Sequence, residues 1–381
     1  MEYKILGLLL LIQSSWGATV KSTPTRIVVQ QQAVSGNSAL NNLKSNVWYA
    51  FPNSLMSSVS PPGVNNAPVI TAWNSGVYDT DNDYFVIWGG GHTDYSGNEI
   101  YRFGPITSEN PKWERLTNPS SPAANNSTYG SDGRPVSRHT YDLLDYLPAP
   151  FKKMISVGVG SQYSNGFSQN AVDLYNFSVN GMTGQPWTRG ALPSISGSNI
   201  FAVARYNPVT KLLWYLPGES SNNRLQSYDP DLNKWTSFNS GYGLYSYATA
   251  TIDTKRNRFL LFVQGYGILV FDLNSPNTAP VRITQSGTGL GSSAQSPGFV
   301  YDPNGDRILG WNGGTGLYAL SIPAAVTGTW NWSSIPLDAS STLSPGNPAG
   351  AGTYGRFRYV PSYNAVILVN SVSQSVYLRK L

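Results

Sequence analysis

The 381-residue chain contains no cysteine, and this absence removes a whole set of possibilities. Without cysteine there are no disulfide bonds, no thiolate nucleophiles and no cysteine-ligated metal sites. Charged residues are also scarce, at 12% of the sequence, and there are only two histidines. Stability therefore has to come from a large packed core, and any histidine chemistry is confined to His92 and His139.

Long apolar runs are missing as well. Near the start, Lys4 precedes an apolar run at residues 5–12 and the segment Ser-Trp-Gly-Ala at residues 15–18. This order is typical of a secretory signal peptide, so we predict that residues 1–17 are removed and that the mature protein is secreted or periplasmic. No later segment approaches the roughly 20 apolar residues that a membrane span requires.

Neither sign of charge dominates the composition. The chain has 25 basic and 20 acidic residues, for a formal net charge of +5. The basic residues are scattered and form no run, which favours weak attraction to polyanions over dedicated nucleic-acid binding. We predict no nucleic-acid partner, and we expect a monomer.

Aromatic residues, glycine and proline are plentiful. Aromatics make up 13% of the chain, with 38 glycines and 26 prolines, which indicates many short strands and turns. From about residue 70 a pattern appears: a strand and an Asp-rich turn, an apolar strand at 84–88, a glycine triplet at 89–91, and strands at 98–103 and 112–116. Four strands in sequence make one propeller blade.

The same order of strands recurs along the chain. Further copies begin near residues 138, 201, 247, 297 and 355, so the sequence predicts an all-β fold, a single β-propeller of about six blades. A seventh blade in residues 24–66 or 118–137 is the alternative. The last copy has only three strands. We therefore predict that residues 18–66 supply its closing strand, at 46–52, and that residues 67–381 form the propeller.

The repeat resembles a known one. Glycines in the second strand, tyrosine in the third and tryptophan in the fourth are similar to the kelch repeat over residues 70–381. The segment from Trp88 to Tyr101 also resembles secreted galactose-oxidase-like propellers. The cofactor of that oxidase is a tyrosine joined to cysteine, so its activity does not carry over. We predict no cofactor, although the sequence leaves a structural metal ion open.

Two separated motifs are expected to meet on one face. In a propeller, the loop between strands two and three of a blade lies on the same face as the connection into the next blade. His92, Asp94 and Tyr95 are therefore predicted to lie near Arg138 and His139. Imidazole is well suited to proton transfer near neutral pH. The alternative is that both histidines are structural.

Other loops of the same face carry aromatic and polar side chains. Tyrosine and tryptophan stack on sugar rings, while Asn, Glu and Arg pair with hydroxyl groups. The predicted members of this surface are Asp94, Tyr163, Glu219, Asn223, Tyr266, Trp311, Tyr354 and Arg356.

Histidine, tyrosine and arginine are the groups that eliminative cleavage of a uronic acid polymer needs. We therefore predict a polysaccharide lyase acting on an anionic polysaccharide, and in this respect the face resembles that of propeller-fold ulvan lyases. His92 or His139 would move the proton, Tyr95 or Tyr163 would act as the acid, and Arg138 would neutralise the carboxylate. A non-catalytic glycan- or protein-binding module is the alternative, and a glycoside hydrolase using two carboxyl groups is a third possibility.

Overall fold

The computed structural model describes residues 36–120, 127–163, 165–194, 198–219, 224–241 and 245–381. The predicted signal peptide lies outside these residues. In the described part, helices are limited to single turns, at Ser38–Asn41, Met56–Val59, Pro68–Thr71, Tyr354–Arg356 and Pro361–Tyr363. No helix among the described residues is long and apolar enough to cross a membrane.

Four-stranded antiparallel sheets make up the first three blades. Blade 1 has strands Gly76–Asp79, Tyr84–Ile87, Tyr101–Gly104 and Lys112–Arg115. Blade 2 has strands Leu144–Leu147, Lys153–Val159, Gln169–Asn176 and Trp187–Arg189, and a short ladder pairs Arg138–His139 with Ser161–Gln162 beside it. Blade 3 has strands Val203–Asn207, Leu212–Leu216, Gln226–Asp229 and Lys234–Ser237.

The other three blades follow the same plan, except that blade 5 has one extra strand and blade 6 takes its outer strand from the N-terminal segment. Blade 4 has strands Ala248–Asp253, Arg258–Val263, Gly267–Asp272 and Val281–Arg282. Blade 5 has strands Gly298–Asp302, Arg307–Trp311, Tyr318–Ser321 and Thr329–Ser334, with Thr284–Gly287 added in parallel outside the fourth. Blade 6 has strands Phe357–Val360, Ala365–Leu368 and Tyr377–Lys380, and its outer strand is Trp48–Ala50.

The ring closes through this outer strand of blade 6. Trp48 lies opposite Arg379 and Ala50 opposite Tyr377 in an antiparallel pair, so both ends of the chain share one blade. The inner strand of each blade contacts that of the next, and that of blade 6 contacts blade 1. The prediction of six blades with an N-terminal closing strand is confirmed, and the seven-blade alternative is wrong.

Each inner strand is entered through a residue with a left-handed backbone. The six equivalent residues have φ between 40° and 57°: Trp73, Tyr141, Phe201, Tyr247, Ser296 and Tyr354. For residues other than glycine this conformation costs about 1 kcal/mol or more, so packing has to hold it in place. Five of the six are aromatic, and their side chains gather where the inner strands begin.

A substitution of Trp48 tests whether the N-terminal strand closes the ring. Its side chain is 1% exposed, packs against blades 5 and 6, and donates from Nε1 to the carbonyl of Thr315 at 3.1 Å. We expect Trp48→Ala to lower the free energy of unfolding by about 3–5 kcal/mol, because the cavity would open at the closing seam. Chemical denaturation followed by tryptophan fluorescence measures this.

Leu232→Ala is the control for this substitution, since Leu232 is 70% exposed on a blade 3 turn. It should change the free energy of unfolding by no more than about 0.5 kcal/mol. Equal stabilities of the two variants would contradict a closing role for the N-terminal strand.

Candidate functional site

The loop after the second strand of blade 1 is bound directly to the connection that enters blade 2. Gly90 N donates to the carbonyl of Arg138 at 3.0 Å, and Gly91 N donates to Ser137 Oγ at 2.9 Å. Gly91 has φ 95°, and a Cβ there would collide with the side chain and backbone of His139. The glycine triplet therefore allows the close approach that brings His92 beside His139.

His139 is held between a carboxylate and a phenol. Its ring is buried, and Nε2 lies 2.8 Å from Asp94 Oδ2, while Nδ1 faces the Tyr141 hydroxyl at 3.5 Å. An ionised carboxylate only accepts hydrogen bonds, so Nε2 carries the proton and the lone pair lies on Nδ1. The ring of Trp73 packs against the imidazole with centroids 5.0 Å apart. These contacts fix both the tautomer and the orientation of the ring.

Burial sets the protonation states of His139 and Tyr141. Burial lowers the pKa of His139 below its ordinary value, and this outweighs the opposite effect of Asp94. Burial also raises the pKa of Tyr141, with smaller contributions from the carboxylate of Glu219 and from Tyr247. Near neutral pH the imidazole is therefore uncharged and can accept a proton, while the phenol keeps its proton and can donate it.

His92 completes the pair of histidines. It is exposed, and its ring centroid lies 6.4 Å from that of His139, with the planes at 70°. The neighbouring residue Thr93 donates from its backbone N to the carbonyl of Tyr163 at 2.9 Å, so Tyr163 lies next to this loop and is half-buried. The structure thus brings together His92, Asp94 and His139 from two blades.

Aromatic rings from other blades extend the site away from His139 around the central channel. Tyr141 lies 4.9 Å from Phe201, which lies 4.3 Å from Tyr247, and the buried Tyr354 lies 6.2 Å from Tyr141. All four are left-handed entrance residues of inner strands. The exposed carboxylate of Glu219 accepts a hydrogen bond from Ser246 Oγ at 2.8 Å. The face therefore combines aromatic rings in edge-to-face and tilted contacts with exposed carboxylates.

Two arginines predicted for this surface are buried elsewhere. Arg138 is fully buried, and its Nη1 bonds to Asp173 Oδ2 at 3.0 Å while Nε and Nη2 donate to backbone carbonyls. Arg356 is also fully buried, and Nε and Nη1 donate to the carbonyls of Asn74 and Val369. Neither guanidinium reaches the face, which conflicts with the predicted role of Arg138 as carboxylate neutraliser and of Arg356 in substrate binding.

The predicted acid Tyr95 points into the protein. Its hydroxyl and that of Tyr101 both donate to the buried carboxylate of Glu99, and burial raises the pKa of Tyr95. The phenol is therefore committed to an interior cluster. Tyr141 is also buried, but its hydroxyl faces His139 Nδ1.

The remaining predicted residues are dispersed. Trp311 is fully buried and donates from Nε1 to the carbonyl of Gly314 at 3.1 Å, so it belongs to the core. Tyr266 is 37% exposed on blade 4, with the guanidinium of Arg282 at 4.1 Å above its ring. Asn223 lies outside the described residues. Among the described residues, no group of three or more His, Asp and Glu side chains is arranged to hold a metal ion.

The sequence analysis missed Trp73, Tyr141, Phe201 and Tyr247. The signal that could have found them is an aromatic residue just before the inner strand in five of the six repeats.

Comparison with known proteins identifies no family for this chain. No family model and no curated protein matches the chain. The chain is similar to the structure of the major Malassezia sympodialis allergen Mala s 1, with 12% identity, a TM-score of 0.49 and coverage of 80% of this chain and 91% of that one. It is also similar to a Bacteroides thetaiotaomicron protein of unknown function, with 12% identity, a TM-score of 0.49 and coverage of 88% and 75%. Neither similarity extends to function, and the resemblance to kelch repeats and ulvan lyases stays one of motifs.

The burial of Arg138 gives a prediction about stability. Arg138→Ala leaves the carboxylate of Asp173 buried without its partner, so we expect it to lower the free energy of unfolding by about 3–5 kcal/mol. The double substitution Arg138→Met with Asp173→Leu removes both charges and should recover part of this loss, because methionine leaves the carbonyls of Val136 and Thr128 without their donor. Chemical denaturation measures all three proteins.

Arg134→Ala is the matched control, because Arg134 pairs with Asp132 at 3.7 Å in a partly exposed position. It should cost less than about 1 kcal/mol. If Arg138→Ala were as mild as this control, Arg138 would be free to act on a substrate after all.

Proposed function

We propose that the face around His139 binds an anionic polysaccharide and cleaves it by β-elimination, and that the protein does so outside the cell after export. The observation that carries the proposal is the chain of contacts Asp94–His139–Tyr141, in which Nε2 is held at 2.8 Å and Nδ1 faces a phenol at 3.5 Å. A neutral imidazole beside a protonated phenol is a base next to an acid, which is what elimination needs.

The proposed reaction moves one proton through this pair. His139 Nδ1 removes the proton from the carbon next to the uronate carboxyl, and the electrons form a carbon–carbon double bond as the glycosidic C–O bond breaks. Tyr141 gives its hydroxyl proton to the departing oxygen. The imidazolium then returns the proton to the phenolate across the 3.5 Å contact, which restores both groups.

In this proposal, His92 neutralises the carboxylate of the bound uronate. Its exposed ring is next to His139, so a ring N–H can donate to a uronate carboxylate bound above the imidazole. The rings of Trp73, Phe201 and Tyr247 provide surfaces on which neighbouring sugars can stack. The proposed chemistry uses side chains only and requires no cofactor.

Non-catalytic glycan binding is the second candidate, and one observation favours it. Arg138 and Arg356 are both buried, while the carboxylates of Asp94 and Glu219 are exposed on the face. Carboxylates repel an anionic polymer and accept hydrogen bonds from the hydroxyl groups of a neutral one. A neutral glycan held on the aromatic rings would need no proton transfer.

One experiment separates the two candidates. The protein is incubated with a panel of uronate polymers while the ultraviolet absorbance of the unsaturated product is followed, and binding to neutral and anionic polysaccharides is measured in parallel. Absorbance that grows with a uronate polymer supports elimination. Binding of a neutral glycan with no absorbance change supports the second candidate and overturns the first. N-terminal sequencing of exported protein tests the predicted cleavage after residue 17.

Substitutions test the assigned roles. His139→Ala and Tyr141→Phe should each lower kcat on a cleaved polymer by about 10² to 10⁴, because each removes one partner of the proton transfer. Circular dichroism checks that the fold persists. Tyr49→Phe, which removes a hydroxyl from the outer strand of blade 6, is the matched control and should keep the parent rate. Near-parent rates for both site variants would show that the site lies elsewhere.

The pH profile tests the protonation state of His139. Since burial lowers its pKa, the free base persists as the pH falls below the ordinary histidine range, and the acid side of the kcat profile should have its midpoint there. Asp94 raises the pKa of His139, so Asp94→Asn should move this midpoint to still lower pH and also lower kcat. A midpoint that is unchanged in Asp94→Asn would mean that another group controls the rate.

A further inference from the structure

The inner strands end at a second mouth of the central channel, on the face opposite His139. A cavity of about 260 Å³ lies here, with lining residues from all six blades. At the equivalent position of the inner strand, blade 4 has Ile252 and the others have tyrosine: Tyr78, Tyr146, Tyr206, Tyr301 and Tyr359. Exposed turn residues such as Thr80 and Pro208 form the rim, so the cavity is open to solvent.

All five tyrosines line this cavity, with Tyr206 and Tyr359 partly exposed and the other three buried between blades. Four hydroxyls donate to side chains of nearby turns: Tyr78 to Asp83 and Tyr146 to Asp81 at 2.8 Å, Tyr301 to Asp306 at 3.1 Å, and Tyr359 to Asn364 at 2.9 Å. With the hydroxyls engaged in this way, aromatic surface makes up much of the wall. Such a wall fits a flat or ring-shaped molecule.

Arg358 gives the cavity a cation with an incomplete set of partners. Its Nε and Nη2 donate to the carbonyls of Gly76, Gly355 and Leu144 at 2.9–3.1 Å. Among the described residues, the one polar contact of Nη1 is Asp145 Oδ1 at 3.4 Å. A charge-assisted hydrogen bond is normally about 2.7–2.9 Å long, so Nη1 keeps donor capacity.

The nearby carboxylates are engaged by other donors. Asp145 accepts from the backbone N of Tyr146 at 3.0 Å and of Tyr206 at 2.7 Å. The second guanidinium in the wall, Arg205, is bound to the carboxylate of Asp142. Burial and then the neighbouring charge of Arg205 lower the pKa of Arg358 to about 10, while Asp145 and Asp142 act in the opposite direction.

We propose that this cavity is a second binding site, which takes a small organic acid with its carboxylate on Arg358 Nη1 and its ring between the tyrosines. An incoming carboxylate would accept from Arg358 Nη1 at hydrogen-bond distance, which is closer than the 3.4 Å contact with Asp145 Oδ1. The site uses neither histidine and does not rest on the function proposed above.

Isothermal titration calorimetry with benzoate and benzamide tests the chemistry, since the two probes share their shape and differ in charge. We expect benzoate to bind at least about tenfold more tightly, because a hydrogen bond to a charged group contributes about 1.5–3 kcal/mol. Glucuronate is titrated in parallel to separate a sugar acid from an aromatic one. Equal affinity for benzoate and benzamide, or no binding of either acid, overturns the proposal.

Variants locate the site. Arg358→Gln should lose the preference for benzoate over benzamide, and Arg358→Lys should keep part of it. Thr254→Trp fills the cavity from its rim without touching Arg358 and should abolish binding, so it decides the matter even if Arg358→Gln fails to fold. The control is Val209→Trp, on an exposed turn residue of the same face, which should bind like the parent. Unchanged benzoate binding by Thr254→Trp overturns the proposal.

Discussion

Buried guanidinium groups that donate to backbone carbonyls of neighbouring blades hold this ring together. Arg205 of blade 3 bonds to Ala250 of blade 4, and Arg358 of blade 6 bonds to Gly76 of blade 1 and Leu144 of blade 2. Arg379 of blade 6 bonds to Thr315 of blade 5. In a chain without disulfides, these contacts join neighbouring blades through hydrogen bonds from buried charged groups to backbone carbonyls.

This use of arginine decides what the two faces of the ring can bind. On the His139 face, Arg138 and Arg356 are committed to the interior, so the exposed groups are imidazole, carboxylate and aromatic rings. At the opposite mouth, Arg358 donates to three backbone carbonyls, and its Nη1 lies 3.4 Å from Asp145 Oδ1. In the proposals above, a polysaccharide would bind the first surface and a small organic anion the second.

The sequence was sufficient for the fold and for part of the site. The repeat predicted six blades, and the missing strand of the last repeat predicted the closure at Trp48–Ala50. The positions of loops around a propeller also placed His92 and Asp94 beside His139. These features depend on strand order and loop length, which a sequence records directly.

Side-chain direction could not be predicted in the same way. Arg138 and His139 are neighbours in an extended segment, so their side chains leave on opposite sides, and only one of them can meet the face. The sequence does not say which one. Asp94 and Tyr95 differ in the same manner, because Tyr95 turns inward to Glu99 while Asp94 remains partly exposed. The predicted Arg138 and Tyr95 therefore point into the protein instead of toward the face.

The two mouths of the channel are lined by residues at the two ends of the same six inner strands. Each strand begins with a left-handed residue, aromatic in five of six blades, and ends near a tyrosine in five of six. Between these ends, Asp142 accepts from Arg205 on one oxygen and from Thr249 and Ala250 on the other, so buried polar groups fill the middle of the channel. The repeat thus gives the two mouths different linings, with imidazole and carboxylate groups at one and tyrosines with Arg358 at the other.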